Sequence, residues 1–231
     1  MKKKICYLCG KRIVGRISKD HLPPFQFFPE NYRKDHDLSN LITLPTHPKC
    51  NFAYQKDEDY FVVSLTPAIK DNYLNFGVFE RLKRMSKRDQ GRRLLNQVLG
   101  EFKKNIGNIY LPSHLAAKNV DSIRFRNIVW KLTRGVYFHE YCEVLPHSTE
   151  HTIFKIYQNV EEIPNEAAEI FRLSPEPFKG IHPRILEYKI VTLANMNLWL
   201  LIFWQSFGAL VFFHIDGCQC TECLKKANKI G

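Results

Sequence analysis

An α+β fold in three parts is predicted by three observations. Two short Cys/His pairs, Cys6-x-x-Cys9 and His47-x-x-Cys50, lie in a first region, residues 1–65, that is rich in Cys, His, Pro and Asn with few long periodic runs. A middle stretch carries apolar residues at helical spacing among many Lys and Arg side chains. The remainder holds short apolar runs separated by turn residues. The expected organisation is a metal-stapled module over residues 1–65, a basic helical segment over 66–105 and a C-terminal α+β domain with antiparallel strands over 106–231.

The first element is the staple. A CxxC or HxxC spacing lets two soft or borderline ligands face one point, and a long gap lets two such pairs close a loop around one ion. Cys6, Cys9, His47 and Cys50 therefore read as the four ligands of a structural Zn²⁺. Gly10, directly after Cys9, suits the tight turn of such a knuckle. One CxxC alone would equally suit a redox pair, so the second pair carries the reading. A zinc with four protein ligands keeps no open position and supports the fold rather than chemistry.

Between the two pairs lies Lys19-Asp20-His21-Leu22-Pro23-Pro24, followed by Leu38-Ser39-Asn40-Leu41 and then by Cys50-Asn51. In this order the residues resemble the HNH endonuclease family over residues ~5–61: a CxxC, an Asp-His dipeptide, an Asn-Leu, and a second knuckle leading straight into His or Asn. The resemblance implies a ββα-metal fold with a helix beginning near Asn51. It further implies that Asp20 ligates a catalytic divalent cation, Mg²⁺ or Mn²⁺. His21 would be the general base, Asn40 would orient that histidine, and Asn51 would be a second ligand. Two positions depart from the common pattern: His47 stands for Cys, and Asn51 for the final His.

The residue types suit that chemistry in their own right. Hydrolysis of a phosphodiester needs an activated water and neutralised phosphate oxygens. A neutral histidine can accept a proton near pH 7. Asp20 and Asn51 are hard oxygen donors, whereas the soft thiolates belong to the other ion. On an extended strand, Asp20 and His21 are expected to point to opposite sides. The aromatic loop from Pro23 to Leu38 is expected to pack rather than touch substrate, with His36 exposed. The Asp57-Glu58-Asp59 cluster is expected to be a charged, solvated helix face, with Tyr60 and Phe61 in the core.

The middle segment has apolar stripes at Val78, Phe79, Leu82 and Met85 and at Leu94, Leu95, Val98, Leu99 and Phe102, with a break expected at Gly91. Its many basic residues belong to a chain of net charge +11, which concentrates polyanions. Lys19, Lys56, Arg84 and Arg88 are the candidates for gripping nucleic-acid phosphates.

Residues 123–141 mix helix-like and strand-like signals, with a break expected at Arg134-Gly135. Glu187–Leu193 and the two halves of 198–213 read as strands, turning at Gln205-Ser206-Phe207-Gly208. The apolar run 198–213 is too short and too interrupted for a membrane span. Cys218, Cys220 and Cys223 form a candidate second metal cluster that lacks a second matching pair. No secretory signal follows Met1-Lys2-Lys3-Lys4, and paired cysteines without one suit a reducing, cytoplasmic setting. The expected activity is a metal-dependent endonuclease acting on DNA, with the C-terminal domain open to a protein partner or a second copy. The alternative is a zinc-stabilised module that binds nucleic acid without cutting it.

Overall fold

A computed structural model of the chain describes residues 4–156, 165–180, 182, 184–193 and 196–215. The N-terminal part is built on two hairpins. The first is a knuckle, tied by the Ile5–Arg12 bridge and turned at Gly10, whose φ of +70° is open to a residue without Cβ. The second pairs β1 (Ser18–Leu22) antiparallel with β2 (Ile42–Thr46), so that Asp20 lies across from Leu44 and His21 from Thr43. The Tyr7 amide donates to the Pro45 carbonyl at 3.1 Å and joins the knuckle to β2.

The segment between the strands is less a loop than two short helices: a single 3-10 turn at Phe25–Phe27, and α1 (Glu30–Asp35). It buries Phe27, Phe28 and Tyr32, as the packing reading expects, and leaves Phe25 partly exposed. His36 is exposed, its ring stacked on Tyr32. After β2 come α2 (Pro48–Phe52) and α3 (Gln55–Leu65). The helix expected near Asn51 thus starts earlier, with Pro48 pre-set for the first turn, and breaks before α3. Asn51 sits in α2, and Lys56 is the second residue of α3.

The middle segment is helical, as its apolar spacing predicts: α4 (Asn72–Met85) and α5 (Asp89–Gly100). The break falls at residues 86–88, not at Gly91. Gly91 lies inside α5, where a side chain would collide with the Met85 carbonyl oxygen. Glycine here permits a close approach of two backbones. Two small antiparallel pairs follow, β3 (Phe102–Lys103) with β6 (Ala117–Lys118) and β4 (Asn105–Ile106) with β5 (Ile109–Tyr110).

The mixed signals over 123–141 resolve into one unbroken helix, α6 (Ser122–Tyr141), and no break occurs at Arg134-Gly135. Its start is fixed by Asp121, whose carboxylate accepts from the amides of Ile123 and Arg124. Gly135 stays helical because α6 lies directly on the β1–β2 hairpin. A Cβ there would come within 3.0 Å of Leu22 and 3.4 Å of Leu44. The propensity cost of an interior glycine, about 1 kcal/mol, is offset by that approach.

The C-terminal part is a five-stranded antiparallel sheet of β7 (His151–Ile156), β8 (Lys179–Gly180), β9 (Leu186–Leu193), β10 (Met196–Phe203) and β11 (Phe207–His214), in the order β7-β11-β10-β9-β8. Helix α7 (Asn165–Leu173) covers one face. The apolar run is two strands turning at residues 204–206, one residue earlier than expected, with Trp204 and Gln205 at φ near +50°. Trp204 holds this conformation because its indole is buried and donates to the Phe27 carbonyl at 2.9 Å. Both faces of the sheet are covered, which is why 198–203 is apolar throughout. Trp199, Leu201 and Phe203 face the main core, while Leu198, Leu200 and Ile202 pack with Phe171 of α7. The main cluster runs from Cys6 in the knuckle through Phe61 and Phe125 to Phe213. Among the described residues, no helix is long and apolar enough to cross a membrane. Cys218, Cys220 and Cys223 lie outside the described residues.

Candidate metal centre and the adjoining cleft

The knuckle and the β2–α2 junction bring four donors together. The thiol sulfurs of Cys6, Cys9 and Cys50 and a ring nitrogen of His47 all lie within 4.8 Å of one another. His47 Nδ1 is 3.4 Å from Cys9 Sγ and 3.8 Å from Cys50 Sγ. Tetrahedral zinc, with Zn–S near ~2.3 Å and Zn–N near ~2.0 Å, spaces neighbouring donors by roughly 3.3–3.8 Å. The cluster can hold a metal ion such as zinc.

Its electrostatics favour a cation. Burial works against a Cys6 thiolate. The Thr46 hydroxyl, 3.3 Å away, and the backbone amides of His47, Cys9 and Leu8 outweigh it and lower the thiol to about 6. Cys50 is pushed up to about 12 by burial and by the negative sulfurs of Cys6 and Cys9. Several thiolates crowded in one place need a positive ion between them. His47 Nε2 lies 3.3 Å from the Arg12 carbonyl oxygen. A proton donated there leaves the Nδ1 lone pair facing the sulfurs.

Beside the cluster, β1 and α2 frame a cleft of about 310 Å³, lined among others by Ser18, Asp20, His21, Asn51 and Glu58. Asp20 is buried and His21 half-buried. Asp20 turns inward: its Oδ2 accepts from the Tyr7 hydroxyl at 2.6 Å and faces Lys131 Nζ at 2.7 Å. Lys131 also pairs with Glu58 of α3. Burial acts against the ammonium, yet Asp20 and Glu58 outweigh it and raise its pKa. Burial pushes the Glu58 carboxyl up despite Lys131, and burial together with Asp20 pushes the Tyr7 hydroxyl well above its usual range. Asn51, on the cleft lining, donates its amide to Ser18 Oγ at 3.0 Å. Among the described residues, neither ring nitrogen of His21 has a hydrogen-bond partner; its ring centroid lies 5.7 Å from that of Phe25.

Lys131 reaches this site by periodicity. Asp20 and Leu22, two apart on a strand, face α6, where Lys131 and Gly135 are four apart; the two repeats nearly match, at about 6–7 Å. The same stripe of α6 places Arg124 against Asp57 at 2.8 Å and Arg134 against the backbone carbonyls of Leu8, in the knuckle, and Leu145. One helix thus fixes the metal cluster, the cleft and α3. Sequence reasoning missed Lys131 because α6 was read as interrupted, and a lysine between apolar residues reads as surface. The acidic run is not a solvated face: Asp57 and Asp59 pair with Arg124 and Arg81, and Glu58 is buried in the cleft. Tyr60 and Phe61 are buried as expected.

Asp20, His21 and Asn51 come together in this cleft; Asn40 does not line it. Asn40 is exposed in the turn ahead of β2, and within β2 it is Thr43 that lies across from His21. Lys19 is exposed on β1. Lys56, Arg84 and Arg88 line a second, larger cleft that adjoins the first. The Arg84 guanidinium there is engaged by Glu30. No match to the chain is found among protein families, curated proteins or solved structures.

Proposed function

We propose that the chain is a metal-dependent endonuclease of the HNH kind, which hydrolyses phosphodiester bonds in DNA with His21 as the general base. The observation that carries this reading is one cleft that combines a histidine with two unengaged ring nitrogens and three oxygen-bearing side chains, Asp20, Asn51 and Glu58. The strand pair followed by a helix, and the four-donor cluster beside it, support it further. In this reading the cluster holds Zn²⁺, which ties the knuckle to the β2–α2 junction. Mg²⁺ or Mn²⁺ held by Asp20 and Asn51, with Glu58 as an additional carboxylate, would supply positive charge to a phosphate oxygen and the leaving oxygen. His21 takes a proton from water as the water oxygen bonds to phosphorus; the P–O bond to the leaving strand breaks, and solvent protonates the departing oxygen. Lys131 holds the Asp20 carboxylate in place.

A second reading, nucleic-acid binding without cleavage, is favoured by one observation. The Lys131 ammonium already lies between Asp20 and Glu58, so a positive charge is built into the site. Cleavage of plasmid, linear and single-stranded DNA with Mg²⁺ or Mn²⁺, by wild type beside His21→Ala, separates the two. The expected result is cutting by wild type and a loss of about 10²–10⁴-fold in the variant, with zinc content unchanged. A wild type that shifts DNA on a gel but cuts none of these substrates supports the second reading.

A further inference from the structure

The His21 cleft opens into the larger one. Phe25, Gln26 and Gln55 line both, and the larger cleft has a volume of about 1430 Å³. Its lining holds seven basic side chains against three acidic ones. Three of the basic groups, Arg81, Arg84 and Arg124, are neutralised by Asp59, Glu30 and Asp57. The other four, Arg33, Lys56, Arg88 and Arg93, have no carboxylate partner among the described residues. Arg33 is informative in a second way. Its Nε is buried without a hydrogen-bond partner, and its guanidinium carbon lies 4.8 Å from the centroid of the Phe25 ring.

Phe25 stands at the junction of the two clefts, 41% exposed, and Phe52, 71% exposed, lines the smaller one. Exposed aromatic rings on the lining of a polar cleft lose apolar burial, and here the cleft contains the proposed general base. A base face is the partner such rings suit. In a duplex the base faces are hidden in the stack, and duplex readers present a convex helix or ribbon to a groove. A concave basic channel with aromatic rings along it is the architecture that tracks one unpaired strand, phosphates on the cations and bases on the rings.

We infer that the two joined clefts bind single-stranded or locally unpaired nucleic acid, with Arg33, Lys56, Arg88 and Arg93 on its phosphates and an unpaired base stacked at Phe25 beside His21. This rests on the nuclease reading for the role of His21, and on the cleft alone for binding.

The test is fluorescence anisotropy with the full, zinc-loaded chain in the absence of added Mg²⁺ or Mn²⁺, using a labelled oligodeoxythymidine and a blunt duplex of equal length. The single strand is expected to bind about tenfold tighter or more. Phe25→Ala is expected to weaken single-strand binding by roughly tenfold while changing duplex binding less than about twofold. Phe25→Trp retains affinity and controls for folding. Four phosphate contacts predict a slope of log affinity against log salt near about −3, and Arg88→Ala with Arg93→Ala reduces its magnitude by roughly 1.4. Equal or tighter duplex binding, or an unchanged single-strand affinity in folded Phe25→Ala, overturns the inference. Adding Mg²⁺ to the same preparations separates this failure from that of the nuclease reading. A chain that cuts duplex DNA without single-strand preference loses only the inference. A chain that shows the binding effects but cuts nothing loses only the nuclease reading.

Discussion

The Cys/His cluster and the His21 cleft share one hairpin and are built in opposite ways. The cluster takes its four donors from two closely spaced pairs, Cys6/Cys9 and His47/Cys50, at the two ends of a covalent loop. The cleft draws on the whole chain: Asp20 and His21 from β1, Asn51 from α2, Glu58 from α3, and Lys131 from a helix more than seventy residues further on. A set of soft donors at short spacing needs only an ion to complete it. A set of buried charges needs distant partners, because each carboxylate taken out of water must find its counter-charge in another element. The first region should therefore fail by losing its metal, and the second by losing its partners.

The largest effect expected is at the cluster. Cys50→Ser, or chelation of the wild type, should abolish zinc binding and unfold the knuckle and hairpin, a loss on the order of 10 kcal/mol of metal-linked folding energy. Zinc content and a thermal melt measure it; a metal-free variant that melts like wild type would break the distinction. Next is Lys131→Met, which leaves Asp20 and Glu58 buried without their ammonium. A loss of about 3–5 kcal/mol is expected, seen as a fall in melting temperature of roughly 10 °C, with zinc still bound. An unchanged melting temperature would mean that the cleft does not depend on α6. Gly135→Val adds side-chain atoms where α6 meets Leu22 and Leu44, and should cost about 1–3 kcal/mol in the urea midpoint while leaving the metal in place. The smallest effect is expected at Asn40. Its exposure and its absence from the cleft lining predict that Asn40→Ala changes cleavage by about twofold or less. A loss comparable to that of His21→Ala would show that Asn40 reaches the histidine during turnover.

The two glycines and the one lysine show what a sequence pattern leaves open. Gly91 and Gly135 both read as breaks, because an isolated glycine weakens a helix. Both lie inside helices, because each marks a place where another element comes too near for a side chain, the Met85 carbonyl in one case and Leu22 with Leu44 in the other. Lys131 stands between Trp130 and Leu132 with no motif to single it out, and it is one of the least exposed charged groups in the fold. The 198–213 run was legible as two strands, since alternate residues serve two faces. That both faces are covered depends on α7 and α6, which no window around the strands contains.

What the amino-acid sequence determined by itself was local. The knuckle spacing, the helical stripes of α4 and α5, the turn that splits β10 from β11 and the basic character of the chain all follow from residues close together in sequence, where ligand bite, periodicity and turn chemistry act without the rest of the fold. What only the tertiary structure decided was which charges meet. The joining of the basic cleft to the His21 cleft at Phe25 depends on how α3, α4 and α5 pack, and the place of Asn40 on the β1–β2 pairing. The pairing of Lys131 with Asp20 and Glu58 depends on how α6 lies across the hairpin. That approach is set by matched strand and helix repeats and by the missing side chain at Gly135, and neither acts until the two elements are in contact.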